Sequence, residues 1–338
     1  MTPKERLLNA INGKRVDHAP VVSFTQTGTK DLMDNISVYW PEAHMDPLLM
    51  AKLSLEAHRA IGFEAVRVPY CLTILLEALG CTILPGERTR QPSIASHPYN
   101  SRQPIMPEPI PDDLKSHKRL PVVLGAIRTL REQVGSDIPI IAGAEGPVTV
   151  ASDLLEVTTF MKWTIKKRDT VKEYLDYGAE AVVRYANAML DAGADVFSLL
   201  DPVASPELLN PRDFNDFILP LYQDMAKKIS GDVVLHICGD VEFILPYLKD
   251  CGFAAVSIEE KTDLYKAKEI FDGDIRVVGN VSTSKTLFNG SPEQVYDESM
   301  EALQKGTDAL APGCGLAPMT PLENCQAMVR ARNDHFGL

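Results

Sequence analysis

The stretch that decides the fold is VVLHICGD, Val233 to Asp240. Five of its first six residues are apolar, which is typical of a buried β-strand, and Gly239-Asp240 is a turn signal at its end. Side chains alternate between the two faces of a strand, so His236 and Cys238 share one face. An imidazole and a thiol therefore lie side by side where a core strand ends.

The same order of short β-branched strand, polar turn and amphipathic helix recurs along the chain. The predicted strands are Glu64–Val68, Ile138–Gly143, Asp195–Leu200, Val233–Ile237, Ala254–Ile258, Arg276–Gly279 and Asp308–Ala311, with Ala19–Phe24 as a further candidate. The helical patterns include Thr170–Ala192, Pro211–Ile229, Pro292–Lys305 and Pro321–His335. This alternation predicts a parallel sheet, and seven or eight such units fit a (β/α)8 TIM-type barrel better than an open doubly wound sheet.

Two segments lie outside this pattern. Thr2, Pro3 and Glu5 fit the N-cap, first-turn and capping-box positions of a helix at the start of the chain. Residues 85–121 hold eight prolines, which predicts an extended insertion packed on the barrel rather than a domain boundary. We therefore expect a single barrel domain over residues 1–338, with an N-terminal helical extension and a Pro-rich insertion.

Composition and charge restrict the classes of partner. The chain has 338 residues, of which 45% are hydrophobic and 24% charged, and its formal net charge is −12. It has no basic stripe that would bind nucleic acid against this acidic field, and no apolar run of the roughly 20 residues that cross a membrane. Its first residues do not form a secretory signal, so we expect a cytoplasmic protein that binds neither nucleic acid nor membrane.

A second thiol-bearing stretch lies near the carboxyl end. DALAPGCGLAPMTPLEN, residues 308–324, begins as a strand and continues as a loop that holds Cys314 between two glycines. The carboxyl ends of barrel strands meet at one rim, so we expect Cys314 to approach His236 and Cys238 there. One imidazole and two thiolates favour Zn²⁺, and three protein ligands are typical of a catalytic site with an open position. The other cysteines are interpreted as packing residues: Cys71, Cys81, Cys251 and Cys325.

The charge of such a site favours thiol chemistry. Two thiolates cancel the charge of Zn²⁺ and make it a poor activator of water, whereas a substrate thiol bound there would be deprotonated. Its sulfur would then attack an electrophilic carbon, most simply a methyl group. Glu259 or Glu260, after the next strand, is a candidate fourth ligand when substrate is absent. A non-enzymatic alternative is zinc as a structural clip in a binding protein.

The pattern of His236-x-Cys238 followed by Cys314 within PGCGLAP resembles the methylcobalamin:coenzyme M methyltransferases of methanogenic archaea, in the uroporphyrinogen decarboxylase superfamily. The resemblance runs from TPKERLLNAINGKRVDHAPV to TPLENCQAMV, and GPVT at residues 146–149 marks the superfamily. It implies a (β/α)8 barrel with zinc on those three residues. It also implies that a methyl group passes from methyl-Co(III) of methylcobalamin, carried by a partner corrinoid protein, to the thiol of coenzyme M (2-mercaptoethanesulfonate), which leaves Co(I) and methyl-coenzyme M.

Two related activities are alternatives. Uroporphyrinogen decarboxylases carry an Arg-rich stretch shortly after the first strand and need no metal, whereas residues 23–29 here, SFTQTGT, contain no basic residue. This difference argues against decarboxylation. The second alternative is a related zinc methyltransferase that uses another acceptor thiol or another corrinoid partner. Methanol and methylamine systems have separate versions of the enzyme, and we favour methanol as the upstream methyl source.

Several polar residues are candidates for holding the substrate. Arg67, near the end of a strand, could pair with the sulfonate, because guanidinium suits such oxyanions, or could form a structural ion pair. Asp201, the last residue of FSLLD, is a candidate to orient His236 from behind. Further candidate hydrogen-bond donors are Asn280, Ser282 and Thr283.

Overall fold

A computed structural model describes residues 1–101 and 103–338 of the chain. Its strands are β1 Val66–Val68, β2 Thr82–Leu84, β3 Ser93–Ser96, β4 Ile140–Glu145, β5 Val196–Leu200, β6 Asp232–His236, β7 Ala255–Ser257, β8 Arg276–Val281 and β9 Ala309–Pro312. Seven of them form one parallel sheet in the order β1-β4-β5-β6-β7-β8-β9, and β2 and β3 form a separate antiparallel pair. Strands of this sheet that follow one another along the chain also lie next to one another in the sheet, as is usual for βαβ units.

Helices connect the strands. The α-helices are α1 Pro3–Ile11, α2 Lys30–Ile36, α3 Pro47–Glu56, α4 Ile74–Ala78, α5 Leu120–Val134, α6 Pro147–Leu155, α7 Val157–Lys166, α8 Arg168–Asp191, α9 Pro211–Asp213, α10 Leu219–Lys228, α11 Leu245–Leu248, α12 Leu264–Phe271, α13 Pro292–Gln304 and α14 Leu322–Phe336. Short 3₁₀ segments are Glu42–His44, Leu114–Ser116, Pro202–Ala204 and Glu242–Ile244, and π-helical segments are Ala57–Ile61, Phe214–Ile218 and Thr283–Phe288.

The interior of the barrel is filled mainly by small and β-branched side chains from the inward-facing positions of the strands. Val234 of β6 pairs in register with Ala255 of β7, and both belong to the same buried cluster. Leu7 and Ile11 of α1 complete this cluster, so the first helix packs against the interior of the sheet. A capping box starts that helix as expected: Thr2 Oγ1 accepts from Glu5 N, and Glu5 Oε2 accepts from Thr2 N.

The eighth position of the barrel is held by an irregular segment instead of a strand. In the predicted strand Ala19–Phe24, Val21 alone pairs with Leu310 of β9. Val22 N donates to Leu310 O (3.0 Å), and Glu64 N, just before β1, donates to Val21 O (2.8 Å). The segment therefore bonds to β9 on one side and to the residue shortly before β1 on the other, and so fills the gap between the outer strands without forming a ladder.

The predicted (β/α)8 barrel class is confirmed, with small shifts in boundaries. The strand predicted at Ile138–Gly143 is β4, Ile140–Glu145, and the helix predicted at Pro211–Ile229 contains a π-helical segment. The boundaries differ because a strand ends where its hydrogen bonds to the neighbouring strands end, and the sequence of a polar turn does not show that point.

The Pro-rich stretch predicted at 85–121 begins at the β2–β3 hairpin and then crosses the outer helices. Tyr99 N donates to Leu154 O of α6 (3.1 Å), and Ile110 and Leu114 are buried. Position 102 lies outside the described residues. The division into one domain with an insertion stays a prediction.

Within the described part of the chain, no helix combines the length and apolar composition that crossing a membrane requires.

Candidate functional site

His236 is the last residue of β6, and its ring is fixed by the neighbouring strand. It pairs in register with Ser257 of β7, and its Nδ1 lies 3.1 Å from Ser257 Oγ. Both side chains are buried, with His236 only 2% exposed. Because Ser257 occupies Nδ1, the other ring nitrogen, Nε2, faces Cys238. The strand thus presents one imidazole nitrogen toward the carboxyl rim.

The three predicted metal ligands meet at this rim. Cys238 Sγ lies 3.3 Å from His236 Nε2 and 3.7 Å from Cys314 Sγ. Glu259 joins them: one ligand atom from each of the four residues lies within 4.8 Å of the others. Two sulfurs bound to one Zn²⁺ at about 2.3 Å and tetrahedral angles are about 3.8 Å apart. The donor set and its spacing therefore fit zinc.

The two thiols lie within hydrogen-bonding distance of each other, and this contact shifts the pKa of each. The hydrogen bond from Cys238, together with one from His236, lowers the pKa of Cys314. The same contact and burial raise the pKa of Cys238, because the proton that leaves one sulfur is held by the other. Burial also raises the pKa of Glu259. Such crowding of groups that would all be anionic is what a bound cation relieves.

The loop that carries Cys314 is clamped by the irregular segment before β1. Thr25 Oγ1 donates to Cys314 O (2.7 Å), and Leu316 N donates to Gln26 O (3.1 Å). A Cβ at Gly313 would lie 3.2 Å from the Cα of Glu259. Glycine before Cys314 therefore lets the loop approach the segment that carries Glu259.

The cluster lies in the wall of a cavity of about 190 Å³. The lining residues are Thr25, Gln26, Arg67, Tyr70, Cys71, Leu72, Gln91, Leu200, Pro202, His236, Cys238, Cys314 and Gly315. Gln91, from the β2–β3 hairpin, shows that this hairpin lies at the mouth. The wall is mostly apolar, so a small ligand there would be shielded from water.

Arg67, predicted to bind an anion, lies in this cavity. It is 3% exposed, its Nε has no hydrogen-bond partner, and it forms no salt bridge with a carboxylate among the described residues. Burial lowers the pKa of Arg67 to about 10, so it remains a cation at neutral pH. A Cβ at Gly143 would lie 2.6 Å from Arg67 Nη2, so glycine there makes room for the guanidinium. A buried cation without a counter-ion is suited to an anionic ligand.

Asp201, predicted to orient His236, points elsewhere. Its carboxylate accepts from Thr149 N and Oγ1 (2.7 Å each), Val148 N (3.2 Å) and Tyr222 OH (2.8 Å). These bonds cap the start of α6, the GPVT segment, while burial raises the pKa of Asp201 to about 6. Its backbone N, not its side chain, donates to His236 O (2.9 Å).

The other predicted binding residues lie on the far side of the Glu259 loop. Asn280 Nδ2 donates to the carbonyls of Glu259 (3.3 Å) and Thr262 (3.2 Å). Ser282 Oγ donates to Glu260 Oε1 (2.7 Å), and Glu260, the other candidate fourth ligand, is not part of the four-residue cluster in the described chain. Thr283 begins a π-helical segment, and none of these side chains lines the 190 Å³ cavity in the described chain. Their own backbone and carboxylate partners hold them there.

Sequence reasoning missed Ser257, Tyr70, Gln91 and the place of Cys71. Ser257 lies in the predicted strand Ala254–Ile258, and the register between β6 and β7 would have placed it opposite His236. Cys71 follows a predicted strand end, which was a signal that it could reach the rim. Its apolar neighbours favoured the packing interpretation instead.

The fold and cluster together define a class: a parallel barrel with an imidazole–thiol site at its carboxyl rim. The uroporphyrinogen decarboxylase (URO-D) family model matches residues 2–335. The chain is 49% identical to methylcobamide:CoM methyltransferase MtaA of Methanosarcina barkeri, over 99% of this chain and 98% of the relative. It is 35% identical to methylcobamide:CoM methyltransferase MtbA of Methanosarcina mazei, with the same coverage.

A solved structure agrees with these relatives. A methyltransferase from Methanosarcina mazei matches with a TM-score of 0.96 and 51% identity, over 99% of both chains. The chain therefore belongs to the uroporphyrinogen decarboxylase family and, within it, to the methylcobamide:CoM methyltransferases. It is an enzyme, a methyltransferase, and the resemblance expected from its sequence is confirmed.

Proposed function

We propose that this enzyme transfers a methyl group from methylcobalamin, carried by a partner corrinoid protein, to the thiol of coenzyme M in methanogenesis. The observation that carries the proposal is the placement of His236, Cys238 and Cys314 in one cavity with the unpaired Arg67. The names of the relatives, methylcobamide:CoM methyltransferases, support the same donor and acceptor.

His236, Cys238 and Cys314 would hold zinc, with Glu259 as a fourth ligand before substrate enters. Zinc bound there would lower the pKa of a substrate thiol, so that a nucleophilic thiolate is present at neutral pH. Ser257 fixes the ring of His236, and the Thr25 contact fixes the loop of Cys314. These residues thereby hold the ligand atoms ready before substrate arrives.

Arg67 would hold the other end of the acceptor. Coenzyme M carries a sulfonate two carbons from its thiol, and Arg67 is a buried cation in the same cavity as the thiol cluster. Pairing the sulfonate with the guanidinium aims the sulfur toward the mouth. There the sulfur would form a bond to the methyl carbon as the carbon–cobalt bond of the donor breaks, and the electron pair of that bond would leave with the corrinoid as Co(I).

The remaining parts of the proposal concern the setting of the enzyme. We infer that the corrinoid protein presents its cofactor at the mouth where the β2–β3 hairpin lies, and that methanol is the upstream methyl source. We also infer a cytoplasmic location and no binding of nucleic acid, which agree with the net charge of −12.

The first test is the loss of methylcobalamin absorbance when the protein is mixed with coenzyme M. We expect demethylation that stops after zinc is chelated and returns when Zn²⁺ is added. Homocysteine and simple thiols serve as alternative acceptors. If one of them reacts faster than coenzyme M, that thiol becomes the proposed acceptor. If the zinc-loaded protein demethylates neither free nor protein-bound methylcobalamin with any thiol, the structural-clip alternative holds.

A further inference from the structure

A third cysteine lines the substrate cavity. Cys71, in the loop after β1, lines this cavity together with Cys238 and Cys314. Its sulfur accepts two hydrogen bonds, from Thr73 Oγ1 at 3.4 Å and from Arg119 Nη1 at 3.6 Å. Arg119 is buried and also pairs with Glu77 (2.5 Å), so its position against the sulfur is fixed. Cys71 is buried in the main apolar cluster, as the packing interpretation expected, and it also lines the cavity.

The remaining cysteines do not share this setting. Cys81, Cys251 and Cys325 are as buried as Cys71 but do not line the cavity, and burial raises the pKa of each to about 12. Cys238 and Cys314 belong to the candidate zinc ligands, which a bound metal would protect. Within the described chain, Cys71 is thus the cavity sulfur outside the zinc set.

The same cavity contains a buried cation. Arg67 lines it, is buried, and has an Nε without a hydrogen-bond partner among the described residues. A small disulfide with anionic ends that enters the cavity would be held by this guanidinium. Its sulfur–sulfur bond would then lie inside the pocket whose wall contains Cys71.

We propose that Cys71 is a thiol–disulfide exchange site for small anionic disulfides, and that the disulfide of the acceptor thiol is one of them; that choice rests on the proposed function. The sulfur of Cys71 attacks one sulfur of the disulfide and forms a new S–S bond. The old S–S bond breaks, its electron pair leaves with the other sulfur, and the proton of Cys71 passes to the released thiol.

The modification would regulate the enzyme. The disulfide is the oxidant, and Cys71 is oxidised to a mixed disulfide while one thiol is released. The attached sulfonate chain then occupies the cavity where the acceptor must bind, so methyl transfer stops. A reducing thiol removes the chain and restores the cavity.

The test uses the zinc-loaded full chain and the disulfide of 2-mercaptoethanesulfonate. Peptide mapping by mass spectrometry should find one mixed disulfide, on Cys71, that dithiothreitol removes. Cys71→Ser should abolish the adduct, and Cys71→Ala repeats the test if that variant is unstable. Cys81→Ser, a buried cysteine outside the cavity, is the matched control and should be modified like the wild type.

The role of Arg67 is tested with a neutral disulfide of the same length, 2-hydroxyethyl disulfide. The anionic disulfide should react about tenfold faster with the wild type, and this advantage should disappear in Arg67→Gln and return in Arg67→Lys. Equal rates for the two disulfides in the wild type, or adducts on other cysteines with none on Cys71, would overturn the proposal.

Labelling and methyl transfer are measured separately. After treatment, the wild type should lose methyl transfer, whereas Cys71→Ser should keep the rate of its own untreated sample. A chain that is labelled on Cys71 but never demethylates methylcobalamin supports the exchange site and refutes the proposed function. A chain that demethylates methylcobalamin but is not labelled refutes the exchange site alone.

Discussion

At the scale of single residues, the site depends on side chains that hold the ligands as well as on the ligands. His236 would bind metal through Nε2 while its Nδ1 is hydrogen-bonded to another group. That group is Ser257, whose Oγ lies 3.1 Å from Nδ1. The carboxylate of Asp201, a stronger acceptor, instead accepts hydrogen bonds from the start of α6 and from Tyr222. A neutral hydroxyl therefore sets the orientation of the imidazole.

Replacing Ser257 with Ala should weaken zinc binding by about 10- to 100-fold, because the imidazole loses the contact that fixes its ring. Competition against a chromophoric chelator measures this affinity. Ser299→Ala is the matched control, since Ser299 is also buried with one hydroxyl bond, to Val295 O (2.7 Å), but lies in α13. Equal affinity in the two variants would show that Ser257 does not position His236.

A second residue, Glu145, gives the protein a pH dependence. It is 1% exposed at the end of β4, and its Oε1 has no hydrogen-bond partner in the described part of the chain. Burial raises the pKa of Glu145 from 4.5 to about 8, and Cys71 and Asp153 add to the shift while Arg119 opposes it. The native state thus favours the protonated acid.

The sign of this effect is fixed by the two pKa values. The native state keeps the proton and the unfolded chain loses it, so stability falls as the pH rises from about 4.5 to about 8. Glu145→Gln lacks this fall and should exceed the wild type at pH 9 by at most about 5 kcal/mol. Urea unfolding at pH 5 and 9 measures it, with the exposed Glu173→Gln as control. The stability advantage of Glu145→Gln over the wild type should be larger at pH 9 than at pH 5. An equal or smaller advantage at pH 9 would contradict the prediction.

At the scale of elements, the N-terminal helix matters more than its length suggests. Leu7 and Ile11 of α1 are fully buried in the cluster that fills the barrel, with Val234 and Val278 from the strands. The candidate zinc ligands lie at the opposite ends of those strands. The helix should therefore control stability without touching the chemistry.

Leu7→Ala should lower the free energy of unfolding by about 3 kcal/mol, because it removes a fully buried side chain and leaves a cavity. Its zinc affinity should match that of the wild type. Denaturant unfolding gives the first quantity and chelator competition the second. Asn9→Ala, on the same helix with only a 3.9 Å contact from its amide to Met1 Sδ, should change stability by about 0.5 kcal/mol or less.

Elements with strong periodicity could be predicted from the sequence, and those that depend on long-range partners could not. The capping box at Thr2 and the strand around His236 are local signals, and the structure confirms both. The Ala19–Phe24 stretch is apolar enough for a strand, yet only Val21 pairs. Its partners come from β9, nearly 290 positions away, which no local pattern reveals.

The same reasoning applies to the site. His236, Cys238 and Cys314 could be placed together because the carboxyl ends of barrel strands share a rim. Arg67 could be placed at that rim too, but its lack of a counter-ion could not be foreseen. Asn280 and Ser282 also follow a strand, yet bonds to the Glu259 carbonyl and the Glu260 carboxylate hold them outside the cavity.

At the scale of the whole molecule, stability and chemistry occupy different parts of the barrel. The buried apolar cluster between sheet and helices runs through the chain and includes Cys325 of α14. Cys238 and Cys314 are only partly buried and belong to neither apolar cluster. A barrel with such a core does not need metal to fold, in contrast to small domains that fold only around zinc.

Cys314→Ala should therefore lose zinc and methyl transfer while keeping its far-ultraviolet circular dichroism and cooperative unfolding. The reason is that the apolar clusters keep all their members, and zinc adds to stability only by mass action on the native state. Cys325→Ala is the opposite case: it should keep zinc and activity but lose about 1–2 kcal/mol, since a buried side chain of α14 is shortened. Metal content, activity and urea unfolding of both variants separate the two roles. Noncooperative unfolding of Cys314→Ala would mean that the barrel is held together by its metal, and the site would then be a structural clip.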